Sequence, residues 1–160
     1  IKDLVDRGAY LDPLSPQRKT PLGFALECGG RANSAIHMLV RRGCATASTP
    51  ELVHSMKIYM DPGKYGDLAT VKLIYASGMD FHHLKICTCK HRKNTVAGEI
   101  VQFVATKRRQ PRSLLGLSLI SVRRTFYSAT GGHCIMNAIE QLQVPSAVKS
   151  FLKLESVIPE

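Results

Sequence analysis

Apolar residues along the chain recur at helical spacing, and three of the runs close on a glycine. LVDRGAYLD from Leu4, LVRRGCAT from Leu39 and LIYASGMDF from Leu73 set Gly8, Gly43 and Gly78 at equal intervals of 35 residues. A period of this length marks a stacked array in which each unit buries its apolar face on the next. Within each unit an amphipathic helix ends at a residue able to adopt the left-handed conformation, and a loop follows. The expectation is an all-α protein.

Helix starts are written between the glycines. In KTPLGFALECGG, Thr20 can cap a helix, Pro21 suits its first turn because no amide hydrogen is needed there, and Leu22 and Ala25 fall on one inward face. Thr49-Pro50 opens a second helix through ELVHSMKIYM, and DPGKYG supplies an extended turn before a third, with Leu68, Val71, Leu73 and Ile74 at core positions. GGRANSA reads as a long connection, and Asp67 and Asp80 as isolated turn residues. The first unit, Ile1 to Gly8, is only a second half; with Ile1 in place of a starting Met, further repeats are expected upstream in the natural protein.

PRSLLGLSLISVRR, residues 111–124, follows a different pattern. Leu114, Leu115, Leu117, Leu119, Ile120 and Val122 make a helix there apolar on more than one face, which one neighbouring layer cannot cover. Spacings of three and four bring Leu114, Leu117, Ser118 and Val122 to one stripe, suited to entering a partner's apolar pocket. Leu115, Leu119 and Ile120 are left to face the chain's own stack.

The 160 residues, 44% hydrophobic and 21% charged, suit one core or a short repeat array. No apolar run reaches the roughly 18 to 20 residues that span a bilayer, and residues 1–10 show no targeting signal, so a cytoplasmic or nuclear protein is expected. Cys28, Cys44, Cys87, Cys89 and Cys134 are odd in number and unevenly spaced, which argues for reduced thiols. The net charge of +10 is concentrated from Lys85 to Arg112, where KHRK and KRRQPR flank GEIVQFVA. Such a distribution can steer a protein towards nucleic acid or another acidic surface, but basic runs rarely decide function alone and the plainer reading is a solvated helix face. Aromatics make up 6% of residues with no Trp, which leaves few platforms for single strands. His82, His83, Cys87, Cys89 and His91 cluster, yet Cys-x-Cys is not the ligand spacing of most structural zinc sites. No metal, cofactor or catalytic constellation is expected, and no phosphate-binding loop is present.

Two resemblances carry the reading further. TPLGFA, from Thr20, resembles the ankyrin signature Thr-Pro-Leu-His-x-Ala, with Gly23 where that family has histidine. Ser113-Leu114-x-x-x-Ser118-x-x-x-Val122, preceded by Pro-Arg, is similar to the elongin-binding box of the SOCS box, Ser118 standing at the usual Cys. IEQLQVPSAVKSFLKL resembles the cullin box, with Leu142, Val144, Pro145, Val148, Phe151 and Leu152 at its positions and Gln143 in place of the first proline. Together they resemble the ankyrin repeat and SOCS box family. The resemblance implies ankyrin-like repeats over 1–80, a degenerate last repeat or basic bridging helices over 81–110, and a three-helix SOCS box over 111–156, with its two boxes at 112–123 and 139–154. It implies a non-catalytic, substrate-recognition adaptor of a cullin-RING ubiquitin ligase. Elongin C and elongin B would bind through Ser113, Leu114, Leu117, Ser118 and Val122. A cullin, cullin-5 before cullin-2, would bind with its RING subunit through the second box, and an unknown target protein through the repeats. The alternatives are an ankyrin interaction module outside any ligase and a basic nucleic-acid binder.

Overall fold

The repeated glycines act as the period requires. Gly8, Gly43 and Gly78 all have positive φ, at +86°, +103° and +120°. At each, the glycine amide returns to the carbonyl three residues back (Val5, Val40, Tyr75). The next amide returns five back, Ala9 to Leu4, Cys44 to Leu39 and Met79 to Ile74. This double closure of a helix C-terminus recurs at the same offset in every unit.

The computed structural model describes residues 2–64, 66–84 and 96–155. Among them the chain is all-α, with two short 3-10 turns and no strand. The helices are α1 (Lys2–Asp6), α2 (Pro21–Glu27), α3 (Asn33–Arg42), α4 (Pro50–Tyr59), α5 (Leu68–Ser77), α6 (Val96–Arg109), α7 (Leu114–Ala129), α8 (Met136–Glu140) and α9 (Ser146–Leu152). Starts follow local chemistry: the hydroxyls of Thr20, Thr49 and Ser113 and the carboxylate of Asp67 each accept the amide three residues on, from Gly23, Leu52, Gly116 and Thr70.

Two layers result. In one, α2 packs on α4; in the other, α3 packs on α5, and α2 bridges to α3. Leu22, Leu26, Ile36, Val40, Met56, Tyr59, Val71 and Ile74 fill the space between the layers. α1 joins through buried Val5 and an ion pair between Asp6 and Arg42. GGRANSA is not a loop: its first four residues wind a 3-10 turn, Gly29–Ala32, that runs into α3. Gly29 sits at φ +71° where a Cβ would strike the Lys64 backbone, so the connection is pinned to the turn after α4.

Asp67 also departs from the expectation of an isolated turn residue. Besides capping α5 it accepts from the Thr70 hydroxyl at 2.9 Å, from Asn33 and from the Tyr59 hydroxyl at 3.4 Å, which itself accepts the Asp67 amide at 3.1 Å. Sequence spacing hides this because the partners come from α3 and α4. Of the expected bridging segment, Phe81 and Leu84 are buried and α6 packs on α5 through Ile100 and Val104. The KHRK run and Cys87, Cys89 and His91 lie outside the described residues. α7 then packs on α5 and carries α9, and α9 packs on α8.

Candidate partner-binding surface

α7 lies along the edge formed by the glycine turns. Its inward face is Leu119, Ile120 and Arg123, all buried, with Phe126 and Tyr127 partly buried below them. Ile120 rests on Gly78, and Ile135, beyond the end of α7, rests on Gly43 and donates its amide to the Arg42 carbonyl at 3.0 Å. Further along, Gly132 presses against the Tyr10 ring, and the Leu11 amide donates to its carbonyl at 3.1 Å. Through α7 and the loop that follows it, the C-terminal region therefore touches the chain at Gly78, at Gly43 and just past Gly8, at Tyr10 and Leu11.

Two arginines fasten them. Arg112 donates to the carbonyls of Tyr75 at 2.7 Å and Met79 at 2.6 Å while its guanidinium lies 3.9 Å from the Tyr75 ring centre. Arg123 donates to Val40 at 2.5 Å, to Arg41 at 3.2 Å and to Leu152. Each guanidinium thus occupies the negative end of a stack helix, α5 and α3, where cations are favoured and where the Tyr75 and Val40 carbonyls, each bonded to its own glycine amide, accept a second donor. Burial pushes the Arg123 pKa down to about 10, and that of Arg112 also falls, chiefly for the same reason. Neither residue stood out in the sequence. The available signal was the position of two arginines eleven apart around an apolar run.

The outward face of α7 stays bare. Leu114 is 83% exposed, Leu117 49% and Val122 39%, with Ser113 and Ser118 exposed between them. Leu115, expected to face inward, is 60% exposed. It shares a stripe with Leu119 and Arg123, but the whole first turn of α7 overhangs the stack, so that stripe is covered only from Leu119 onward. In the last helices Val144, Pro145 and Val148 are exposed, whereas Leu142 and Phe151 lean on the core. Leu152 is corrected more sharply: at 6% exposure it is a core residue, and its carbonyl holds Arg123. Lys153 and Lys149 both pair with Glu140, tying α9 to α8.

A second surface feature is a cleft of about 160 Å³ among Leu14, Lys19, Gly23, Thr49, Glu51 and Ser55. Gly23 forms part of its wall, close to the Ser55 hydroxyl; a Cβ there would stand 3.5 Å from that oxygen, in ordinary contact. Behind it Lys19 pairs with Glu27 at 2.8 Å, and Ser55 donates to the same carboxylate at 2.9 Å. The Lys19 ammonium holds the Glu27 carboxyl below the usual range.

The basic end of α6 is partly accounted for by packing. Lys107 stands 5.7 Å from the Tyr75 ring centre and 5.9 Å from that of Phe103, in the last turn, where a cation also suits the helix dipole. One array has the look of a catalytic relay, since Thr70 bonds both His37, at 2.8 Å, and Asp67. Its hydroxyl donates to the carboxylate and is fully buried, so no substrate can reach it. Burial is also the main cause of the lowered His37 pKa. Cys28, Cys44 and Cys134 are free thiols. Among the described residues no group of three or more His, Cys, Asp or Glu could hold a metal, and no helix is long and apolar enough to cross a membrane.

Set against known protein families, curated proteins and solved structures, the chain finds no match.

Proposed function

We propose that this chain is the substrate-recognition subunit of a cullin-RING ubiquitin ligase, built as an ankyrin-like stack followed by a SOCS box. The observation that carries the reading is the bare stripe of Leu114, Leu117, Ser118 and Val122 on a helix whose other face is buried and bonded to the stack. A helix serving only to cap the stack gains nothing from four outward positions that coincide with an elongin-binding box. The paired, stacked helices with identical glycine closures support the ankyrin-like part, and exposed Val144, Pro145 and Val148 support a second contact, to a cullin.

In this reading elongin C takes Leu114 into an apolar pocket, elongin B accompanies it, and a cullin with its RING subunit meets α9, cullin-5 being favoured over cullin-2. The chain transfers no ubiquitin. It holds a target protein near the enzymes that do, acting through effective concentration. The target lies on the stack, with the cleft at Gly23 as one contact. These partners make an intracellular location the consistent one.

Titration calorimetry of the purified chain with the elongin B–elongin C dimer tests the proposal. Saturable one-to-one binding is expected. A chain that stays monomeric without partners, excludes hydrophobic dyes and gives no heat with the dimer would show that α7 is a structural cap, because contiguous bare apolar surface otherwise binds such dyes.

A further inference from the structure

The sequence has three Ser/Thr-Pro pairs, Ser15-Pro16, Thr20-Pro21 and Thr49-Pro50. Two are spent on helix starts: the threonine hydroxyls accept the Gly23 and Leu52 amides at 3.2 Å, and the prolines occupy first turns. Ser15-Pro16 caps nothing. It closes a loop tip in which the Ser15 amide donates to the Lys19 carbonyl at 3.0 Å, the Lys19 amide to Ser15 Oγ at 3.1 Å and the Arg18 amide to the Ser15 carbonyl at 2.8 Å. Pro16, Gln17 and Arg18 are exposed, and Arg18 is held at φ +59°, a strained conformation for a side chain of its kind.

The residues of this tip have an order with chemical meaning: an acceptor hydroxyl, then proline, then a free position, then arginine and lysine. A proline after the acceptor has no amide hydrogen to leave unpaired in a kinase cleft. An arginine three residues on supplies a charge-assisted hydrogen bond to an acidic group beyond that cleft. Kinases take such segments extended, so the tip must open. Doing so breaks three local hydrogen bonds, moves exposed side chains and relieves Arg18, which places it at the low end of the opening free energies within a fold.

From this geometry we infer that Ser15 is a phosphorylation site for a proline-directed, base-requiring Ser/Thr protein kinase. In the transfer, Ser15 Oγ attacks the γ-phosphorus of Mg-ATP. The Oγ–P bond forms as the bond from that phosphorus to the bridging oxygen of ADP breaks, ADP leaves, and the hydroxyl proton passes to the kinase's own carboxylate base. The product places a charge of about −2 beside Arg18 and Lys19. Lys19 now pairs with Glu27 and stands 5.8 Å from the Phe24 ring centre, and Leu14, Arg18 and Lys19 line the cleft at Gly23. The phosphate competes with Glu27 for Lys19 and adds about two negative charges to a rim where Arg18 and Lys19 already face Glu27 and Glu51, which turns it from about neutral to anionic. The modification goes beyond the ligase reading and does not depend on it; only its effect on target binding at the cleft does.

The test uses the purified full chain with a recombinant cyclin-dependent kinase and Mg-ATP, read by intact and tandem mass spectrometry. One phosphate per chain, on Ser15, is expected. Ser15→Ala should take none, Ser15→Thr should retain it, and Arg18→Ala should slow incorporation roughly tenfold through loss of the charged contact. In the phosphorylated chain, NMR should show the Lys19 amide shifted and the Glu27 carboxyl titrating at higher pH as it loses its cation. An unmodified Ser15, or label on Thr20 or Thr49, whose hydroxyls are engaged only in the folded chain, would overturn the proposal. Elongin titration of the same phosphorylated sample reports on the ligase reading separately, because Leu114, Leu117, Ser118 and Val122 do not line the cleft at this loop tip.

Discussion

The stack of α2 to α5 and the three helices α7 to α9 are both made of short amphipathic helices, but their ends are satisfied by different means. In the stack α2, α4 and α5 are each capped by a side chain three residues before the amide it receives, α3 instead continues from a 3-10 turn, and α1, α3 and α5 close on their own glycine turns. At α8 and α9, of five and seven residues, no side chain caps the start. Helices so short do not persist alone in water. They are held by Arg123, which reaches the Leu152 carbonyl, by Glu140 with Lys149 and Lys153, and by Ile135 on the Gly43 turn. The stack units carry most of their own terminal chemistry, whereas α8 and α9 borrow theirs from α7, from each other and from the Gly43 turn. A region stabilised in this second way keeps one face of its leading helix free for other work.

Removing the borrowed contact should have the largest effect. Arg123→Met keeps volume but takes their donor from the carbonyls of Arg41 and Leu152 and one of two donors from that of Val40, and is expected to cost about 2–5 kcal/mol, at roughly 1–3 kcal/mol for each unsatisfied buried group. Denaturant unfolding measures it, and hydrogen exchange should show α8 and α9 opening before α3 and α5. Simultaneous loss of protection in all four would erase the distinction between the regions.

The glycine turns give a comparison inside the repeat itself. Gly8 and Gly43 share a left-handed φ, but a Cβ at Gly8 meets open space and one at Gly43 meets the Ile135 side chain. Gly8→Ala should cost about 1 kcal/mol from backbone strain alone, and Gly43→Ala roughly 2–4 kcal/mol once overpacking is added. Equal melting shifts for the two would mean that the C-terminal helices do not bear on the turn.

On the free face the readout is binding. Leu114→Ala should weaken the elongin B–elongin C complex by roughly 1.5–3 kcal/mol, the worth of a buried leucine, while leaving the unfolding midpoint unchanged. Unaltered affinity in calorimetry would remove the anchor role.

Asp12 sharpens the picture of the seam. Burial holds its carboxyl above the usual range, against the Ala45 amide and the Tyr127 hydroxyl. A group raised on folding contributes stability that is complete below its unfolded value near 3.8 and is lost as pH rises through the folded value. The difference in stability between the wild type and Asp12→Asn should therefore shift in favour of the variant as pH climbs from that window to 7. Midpoints compared across this range check the sign, and a constant difference would refute it. The smallest effect is expected at exposed Ser118, where Ser118→Cys adds polarizable apolar surface to the stripe and should tighten elongin binding only modestly. A clear loss of affinity would mean that the box is read in the wrong register.

How much of this was legible varies with the range of the interactions. Thr20-Pro21, Thr49-Pro50 and the evenly spaced glycines act on residues within one turn, so their roles could be read in order along the chain. The inward assignment of Leu119 and Ile120 followed from helical period, and the same period misplaced Leu115. Period gives a direction around a helix; it does not say where the covering layer ends. Leu152 met the same difficulty in reverse, being covered by a helix nearly thirty residues earlier.

By itself, then, the sequence determined the all-α class, where α2 and α4 start, where α1, α3 and α5 stop, and which stripe of α7 differs from its neighbours, because helix period, capping and left-handed glycine are local properties of the backbone. The tertiary structure alone decided that Arg112 and Arg123 close α5 and α3, that Asp67 gathers Asn33, Tyr59 and Thr70, and that Leu14, Lys19, Gly23 and Glu51 come together around a cleft. Each of these depends on groups far apart in sequence meeting in space, and an unpaired carbonyl or an unfilled volume exists only once the chain has packed.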